Sequence, residues 1–364
     1  MGAQSSRLMD CLVADIYDAF ACKCGDCRTS CCEGWRVSIS ENEYFRLVGM
    51  DCPAALRERL DGSLHVYENA EPARYAELGK DWKGRCRMHG TDGLCELQKA
   101  CGAAALPEIC RMYPRSVAGG DAARLTCALS CERVTEAALA ADDLRVRRED
   151  REVTPDVALP LTSGMLDVIV SRMDAFRAAK GGMGERIARL GGSSFEGLEP
   201  ARDARGALPV LLGLCDAFGR LSPSVRDYCD CARARYAEDA SLYESDAAAF
   251  DAAHPDAERG AANVFLAHML DSCYPFSHAS ERDAFVSLAA HYAFVRFLTV
   301  ACVSARMLLP LTYMGAPERE AKVADVIAGC FRMIEHSGFG HNVLLLLRRD
   351  GGEDIERVAA LLAV

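Results

Sequence analysis

The chain has no uninterrupted apolar run close to the roughly eighteen residues that a membrane-spanning helix needs, so no membrane association is expected. Residues 1 to 10 are polar, and no apolar core of a secretory leader follows them, so an oxidising compartment is not expected either. Positive charge is also short. Lysine and arginine number 42 against 53 aspartates and glutamates, a net charge of −11, whereas nucleic-acid-binding domains are usually basic. No glycine-rich turn joins a strand to a helix, the device that holds a nucleotide in doubly wound folds. Gly181-Gly182-Met183-Gly184 follows a helical pattern and reads as a loop. These absences point to a soluble, cytoplasmic protein with neither a nucleic-acid nor a membrane partner.

What the chain has in excess is sulfur. Of its 19 cysteines, 13 fall within the first 131 residues, and Cys22, Cys24, Cys27, Cys31 and Cys32 sit inside eleven positions. Cysteine used merely as a small apolar residue would be spread along the chain. A disulfide framework is disfavoured, because the count is odd and adjacent Cys31 and Cys32 are poor partners for the roughly 5.5 Å Cα spacing of a bridge. Cys24-Gly-Asp-Cys27 matches a redox C-x-x-C, but no thioredoxin-like βαβ pattern surrounds it. Cys11, Cys215, Cys302 and Cys330 read as buried thiols. The N-terminal cluster as a whole reads as a metal site. Thiolate ligation suits zinc or an iron–sulfur cluster, and the spacing does not choose between them.

The remaining pattern is mainly helical. Trp35–Ser40 alternates like a short strand, and Ser40 with Glu43 announces the helix starting at Glu41. Leu94–Cys101 and Leu106–Tyr113 read as short helices, the second halted before Pro114. Residues 141–160 are charge-dense and punctuated by proline, a connector. Apolar residues then recur at helical spacing around 165–176, 208–218, 222–237, 259–271, 283–309 and 319–336, and more briefly around 341–348 and 353–363. The expected architecture is mainly α: a cysteine-rich metal-binding domain with short strands over 1–140, a connector over 141–160, and a helical bundle over 161–364.

Phe20-Ala-Cys22, Cys27, Cys31-Cys32-Glu33-Gly34-Trp35, Leu94-Cys95-Glu-Leu-Gln98, Cys110-Arg-Met-Tyr113-Pro114-Arg115 and Ser130-Cys131-Glu132 occur in order. Further along come Asn263 to His268, Tyr274-Pro275-Phe276, His291-Tyr292 and Phe331-Arg332-Met-Ile-Glu335-His336. Together they resemble the flagellin lysine-N-methylases (FliB-like proteins). The cysteine signature alone is shared with a broader group of zinc- or iron-chelating cysteine-cluster domains. The resemblance implies transfer of a methyl group from S-adenosylmethionine to lysine ε-amines of flagellin or another lysine-bearing protein. It also implies a 4Fe–4S cluster or zinc, with Cys22, Cys27, Cys31, Cys32, Cys86, Cys95, Cys110 and Cys131 as the matched thiols. One cluster needs four. Cys24, Cys52, Cys101 and Cys127 fall outside the pattern and are expected to be dispensable. The family's proline between Cys131 and Glu132 is absent here.

Other residues read more plainly. Trp35 suits a shield over the metal site, and Gly34 a tight backbone position beside it. Arg115 suits a structural ion pair, Tyr113 packing, and His268, His291 and His336 hydrogen-bonded core positions. Methyl transfer to lysine requires the neutral amine, hence desolvation or a base. Glu33, Glu96, Glu132 and Glu335 are candidates by position.

Overall fold

The computed structural model describes residues 6–33, 35–303, 316–349 and 354–364. Gly34, the end of the 283–309 helical pattern and residue 353 lie outside the described residues. Eight strands are formed among them: β1 (Arg7–Ala14), β2 (Val37–Ile39), β3 (Leu64–Glu71), β4 (Arg74–Leu78), β5 (Arg115–Gly119), β6 (Ala123–Cys127), β7 (Val146–Val153) and β8 (Val157–Ala158). Helices carry most of the rest, so the fold is mixed α and β, with helix predominating.

The chain divides into two compact units, Ala21–Pro114 and a larger one made of Met1–Phe20 with Arg115–Val364. This differs from the expected division at 140 and 160, and the reason lies in one sheet. Its strand order is β7-β1-β6-β5-β8. Apolar Cys11 to Ala14 are buried in a central strand, β1, which runs parallel to β6 and antiparallel to β7. A strand buried on both faces reads as a continuous apolar run, and only partners from beyond residue 115 cover it. The segment between, 21–114, is therefore an insertion.

The expected connector at 141–160 is corrected by the same sheet. Val146–Val153 pairs with β1 over eight residues, from Arg7↔Val153 to Ala14↔Val146. Its charges face ion partners. Arg147 meets Asp15 and Asp18, Arg151 bonds Asp18 at 2.9 Å, and Arg148 bonds Asp10 at 2.7 Å and also meets Asp167. Charge on an edge strand is a normal guard against further pairing. Such a strand looks like a loop when read alone.

In the larger unit the helical expectations land well: Ser163–Ala178, Leu208–Leu221, Arg226–Tyr236, Ala257–Asp271, Glu281–Val303, Ala316–His336, Phe339–Arg349 and Ile355–Leu361. Glu281–Val303 is apolar all round, and 94% of its most apolar window is buried. A helix of that kind belongs at the centre of a core. Its length and composition would also suit a membrane span, but here the surrounding helices of the same unit bury it. Two polar devices brace the unit. Buried Asn263 accepts from Leu144 N at 3.0 Å and donates to Ala141 O at 2.7 Å. Fully buried Asp246 takes a bidentate bond from Arg235 at 2.7 and 3.0 Å and a bond from Tyr236 Oη at 3.2 Å.

The smaller unit holds a three-stranded antiparallel sheet, β2-β4-β3, and its own core of Val37, Ile39, Leu47, Leu60, Ala76, Leu78, Met88 and Leu97. Ser40 and Glu43 form a capping box at Glu41–Val48. The β3–β4 hairpin, with its outward residues mostly polar, carries little apolar alternation to announce it.

Asp246→Ala leaves the Arg235 guanidinium without its buried counter-charge. We expect a loss of about 3 kcal/mol, the low end for breaking a buried pair, read as a lower denaturation midpoint with unchanged slope. A loss under about 1 kcal/mol would mean that water replaces the carboxylate.

Candidate metal centre

The smaller unit is knitted by short backbone exchanges around its cysteines. Antiparallel bridges join Glu33 to Arg85, Lys80 to Cys86 and His89 to Cys95. Cys86 N donates to Cys32 O at 2.8 Å, and Gly90 N to Leu94 O at 2.7 Å. Asp81 Oδ1 accepts from Lys83 N and Arg85 N, both at 2.9 Å, which stiffens the tip of the Lys80–Cys86 hairpin. Gly93 takes φ 77°, and a Cβ there would meet the Gly25 backbone at 3.0 Å, so glycine lets the 22–27 and 90–95 loops touch. Cys95 caps Glu96–Cys101, and Cys110 lies in Glu108–Met112. Glu43 Oε1 accepts from Glu108 N at 2.6 Å, so the acid of the capping box also fixes the start of the Cys110 helix.

These exchanges gather thiols. Cys110 feels the charges of Cys86, Cys32 and Cys95, while Cys31 feels Cys32, Cys110 and Cys22. Burial, then Met88's backbone contact and the neighbouring Cys32 and Cys95, set the Cys86 thiol, which is pushed up to about 11. Burial likewise raises Cys95 and Cys110. Cys32 goes the other way, down to about 6, because the Cys31 thiol hydrogen-bonds it, with Ser30, His89 and Lys80 assisting against burial. Cys32, Cys86, Cys95 and Cys110 therefore lie near enough to act on one another, and Cys31 joins them through Cys32 and Cys110. Among the described residues, no group of three or more His, Cys, Asp or Glu side chains is already set at ligand spacing. The donor chemistry still fits a thiophilic centre. All four are sulfur, they repel one another as thiolates, and the charges of Cys86 and Cys32 act on Lys80, whose Nζ is buried with no hydrogen-bond partner. A bound metal would deprotonate such thiols outright.

The other matched cysteines divide. Cys22 is exposed and Cys27 half-buried on the loop ahead of this locality, and Cys131 belongs to the other unit. Trp35 Nε1 donates to Cys31 O at 2.7 Å, and its ring packs on Tyr113 with centroids 5.2 Å apart. Arg115, expected in a structural ion pair, donates instead to the backbone, to Tyr17 O at 3.0 Å and Phe20 O at 2.8 Å, tying the end of β1's segment to the start of β5. Cys11, Cys215, Cys302 and Cys330 are buried.

The later landmarks meet in the larger unit. Glu335 accepts from Leu129 N at 2.8 Å and Ser130 N at 2.9 Å, His336 Nε2 bonds Ser130 Oγ at 2.9 Å, and Arg332 Nε donates to Ser130 O at 3.1 Å. His268 Nε2 lies 2.9 Å from His291 Nδ1, and His291 Nε2 lies 3.2 Å from Ser287 Oγ. Burial pushes His268 down to about 4, so the pair is neutral near pH 7. Arg332, Glu335 and His336 thus hold the turn that carries Ser130-Cys131.

No family model and no solved structure matches the chain. The similarity is to lysine-N-methylases. That of Salmonella choleraesuis is 26% identical over 117 residues, and that of Salmonella typhimurium 27% over 127, each covering 32% of this chain and 29% of the relative. The flagellar biosynthetic protein FliU of Salmonella muenchen is 25% identical over 117 residues, 32% of this chain and 69% of its own. The aligned part is under a third of the lysine-N-methylases' length, so the likeness is distant and partial.

Among the glutamates singled out as candidate bases, Glu335 has a raised carboxyl. Burial pushes it up to about 8, helped by the nearby Asp271 charge and opposed by its bonds to Ser130 and Leu129. Glu132 is buried at a helix start, and Glu96 pairs with Lys99 at 3.3 Å. Between its ordinary 4.5 and about 8, Glu335 binds more proton in the folded chain than in the unfolded one. Its contribution to stability must therefore fall as pH rises through that window, by at most about 1.4 kcal/mol per unit. The stability difference between wild type and Glu335→Gln, measured from pH 4 to 9, should decline across the window and level off above it. A pH-independent difference would show that the carboxyl is not held protonated.

Proposed function

We propose that this protein is a lysine N-methyltransferase that moves a methyl group from S-adenosylmethionine to lysine ε-amines of flagellin. In this reading Cys32, Cys86, Cys95 and Cys110 hold a 4Fe–4S cluster. The observation that carries it is the combination of a distant likeness to lysine-N-methylases with thiols in the smaller unit, Cys32, Cys86, Cys95 and Cys110, that act on one another. Such a cluster, when bound, supplies electron transfer or an iron coordination position. The protein's own part is structural and electrostatic. Short bridges fix Cys32, Cys86 and Cys95 on one backbone framework, and Glu43 anchors the helix bearing Cys110. Trp35 and Tyr113 pack as an aromatic pair beside Cys31. In the transfer, the lysine nitrogen's lone pair forms the new N–C bond as the donor's C–S bond breaks, and one proton leaves the nitrogen. The amine must therefore reach the reaction neutral, with its proton passed to a base or to solvent.

The same four thiols would suit zinc, in a cysteine-cluster module with a binding or scaffold role and no transferase activity. Protein purified without oxygen and reconstituted with ferrous iron and sulfide should carry both. Cys32→Ala, Cys86→Ala, Cys95→Ala and Cys110→Ala should each lose most of the iron, while Cys24→Ala and Cys330→Ala keep it. Stoichiometric zinc with no iron uptake would favour the binding module. Incubation of the loaded protein with S-adenosylmethionine, flagellin and reductant should add methyl mass increments to lysine. A fully loaded preparation that methylates neither flagellin nor other lysine-rich proteins would remove the enzyme reading and leave the metal centre.

A further inference from the structure

We propose that a cavity in the larger unit binds a zwitterionic amino-acid group, its carboxylate taken by Arg177 and Arg186 and its ammonium by Asp143 and Glu258. The methyl donor named above ends in such a group, and the assignment of this ligand rests on that reading. The cavity lies among Ser163–Ala178, Met183–Ala188, Ala257–Asp271 and the turn after Glu132–Ala140. Its volume is about 580 Å³, within the ~300–1,000 Å³ of ordinary small-molecule sites. Phe176 and Leu266 give it apolar wall. Arg177, Arg186 and Arg259 face Asp142, Asp143 and Glu258 across it.

The walls are braced, but the bracing leaves guanidinium edges unused. Asn263 holds the turn through Leu144 N and Ala141 O; Arg177 Nη2 donates to Leu144 O at 2.8 Å, and Arg259 Nη1 to Ala141 O. Arg177 Nη1 also reaches Asp174 at 3.2 Å. Arg177 Nε and Arg186 Nε are both buried without a hydrogen-bond partner. Arg186 donates only through Nη1, to Arg177 O at 3.4 Å. Its Nε–Nη2 edge, of the kind that grips a carboxylate with two parallel bonds, is therefore unengaged. The lining acids do not close these edges. Asp143 lies 3.8 Å from Arg177 Nε, Glu258 4.0 Å from Arg186 Nε, and Asp142 3.8 Å from Arg259 Nη1, all beyond hydrogen-bond length. Arg259 is nearer Asp256, at 3.4 Å, and is left out of the ligand set.

Exposure orders the two signs. The Asp143 side chain is 55% exposed against 29% for Arg177, and Glu258 is 55% exposed against 26% for Arg186. Cations line the inside and anions the side toward solvent. A simple anion would meet the guanidiniums but be repelled by the acids, and a simple cation would face the reverse. A group bearing a carboxylate and an ammonium on one carbon satisfies both layers. A buried guanidinium N–H without an acceptor costs about 1–3 kcal/mol, and the incoming carboxylate supplies the acceptor.

The test is calorimetric titration of the full chain with S-adenosylhomocysteine, which keeps the donor's amino-acid end and cannot transfer a methyl group. Wild type should bind it. Arg186→Met should weaken binding about tenfold or more, the worth of a hydrogen bond to a charged group. Arg233→Met, whose guanidinium pairs with Asp216 and Asp230 outside the cavity, should bind as wild type does. Glu258→Gln, a change at an exposed position, should weaken binding several-fold and serves where Arg186→Met proves unstable. An analogue lacking the amino group should bind Glu258→Gln and wild type equally. Unchanged affinity in both Arg186→Met and Glu258→Gln would overturn the proposal while leaving the methyltransferase reading in place, with its donor bound elsewhere. No binding of S-adenosylhomocysteine to wild type would overturn the proposal and count against the donor as well. Inorganic phosphate that displaces S-adenosylhomocysteine from wild type and is itself unaffected by Glu258→Gln would mark a simple anion site and overturn the zwitterion assignment.

Discussion

The pairing of Arg7–Ala14 between Val146–Val153 and Ala123–Cys127 governs the rest of the structure. A central strand can be buried only if both of its edges find partners, because unpaired backbone groups in a core are costly. Here both partners come from more than a hundred residues downstream. Everything between must leave the sheet and return to it, and residues 21–114 do so as a separately packed unit. Arg115 marks the return. Its guanidinium takes the carbonyls of Tyr17 and Phe20 and lies over both rings, so exit and re-entry are held by one side chain. The larger unit supplies the long apolar helix and the buried ion pairs. The smaller one has a modest core and spends much of its interior on sulfur.

Thiols gathered without metal are in an unfavourable electrostatic state, and this explains the opposite behaviour of neighbours. Cys31 keeps its proton and donates it to Cys32, whose thiol is correspondingly acidic. Cys86, Cys95 and Cys110 respond to burial and to one another by holding their protons more tightly. Burial and their mutual repulsion as thiolates keep these thiols protonated, and the more buried the set, the stronger that effect. The same locality holds an ammonium that no hydrogen bond satisfies.

Much of this was legible in the residues. The capping box at Ser40 and Glu43, the halt before Tyr113-Pro114 and the long helical patterns of the C-terminal region depend on local chemistry, and each has its structural counterpart. The density of cysteine marked the smaller unit, though not its edges. What local pattern could not carry was pairing at a distance. Cys11 to Ala14 is apolar enough for a core strand, but its partners lie at 123–125 and 146–149, and Val146–Val153 shows its charges to solvent and to Asp10, Asp15 and Asp18. Cys131 shows the same limit for the site. Its place after Ser130 fits the cysteine signature, yet it folds with the larger unit, because its turn is held by Arg332, Glu335 and His336 from the far end of the chain.

That turn bears on which groups are free to act. His268 Nε2 bonds His291 and His291 bonds Ser287, while His268 Nδ1 is buried without a partner, and burial keeps both imidazoles neutral. Glu335 differs. Two backbone amides already stabilise its ionised form, which by itself would lower its proton affinity; burial and the Asp271 charge outweigh them. A carboxyl held near neutrality by opposing terms of this size is sensitive to any change in its surroundings. An arriving cation would release its proton, and a neutral amine would find an acid beside it. The same side chain that fixes the Leu129–Ser130 backbone therefore has a charge set by a balance of opposing terms.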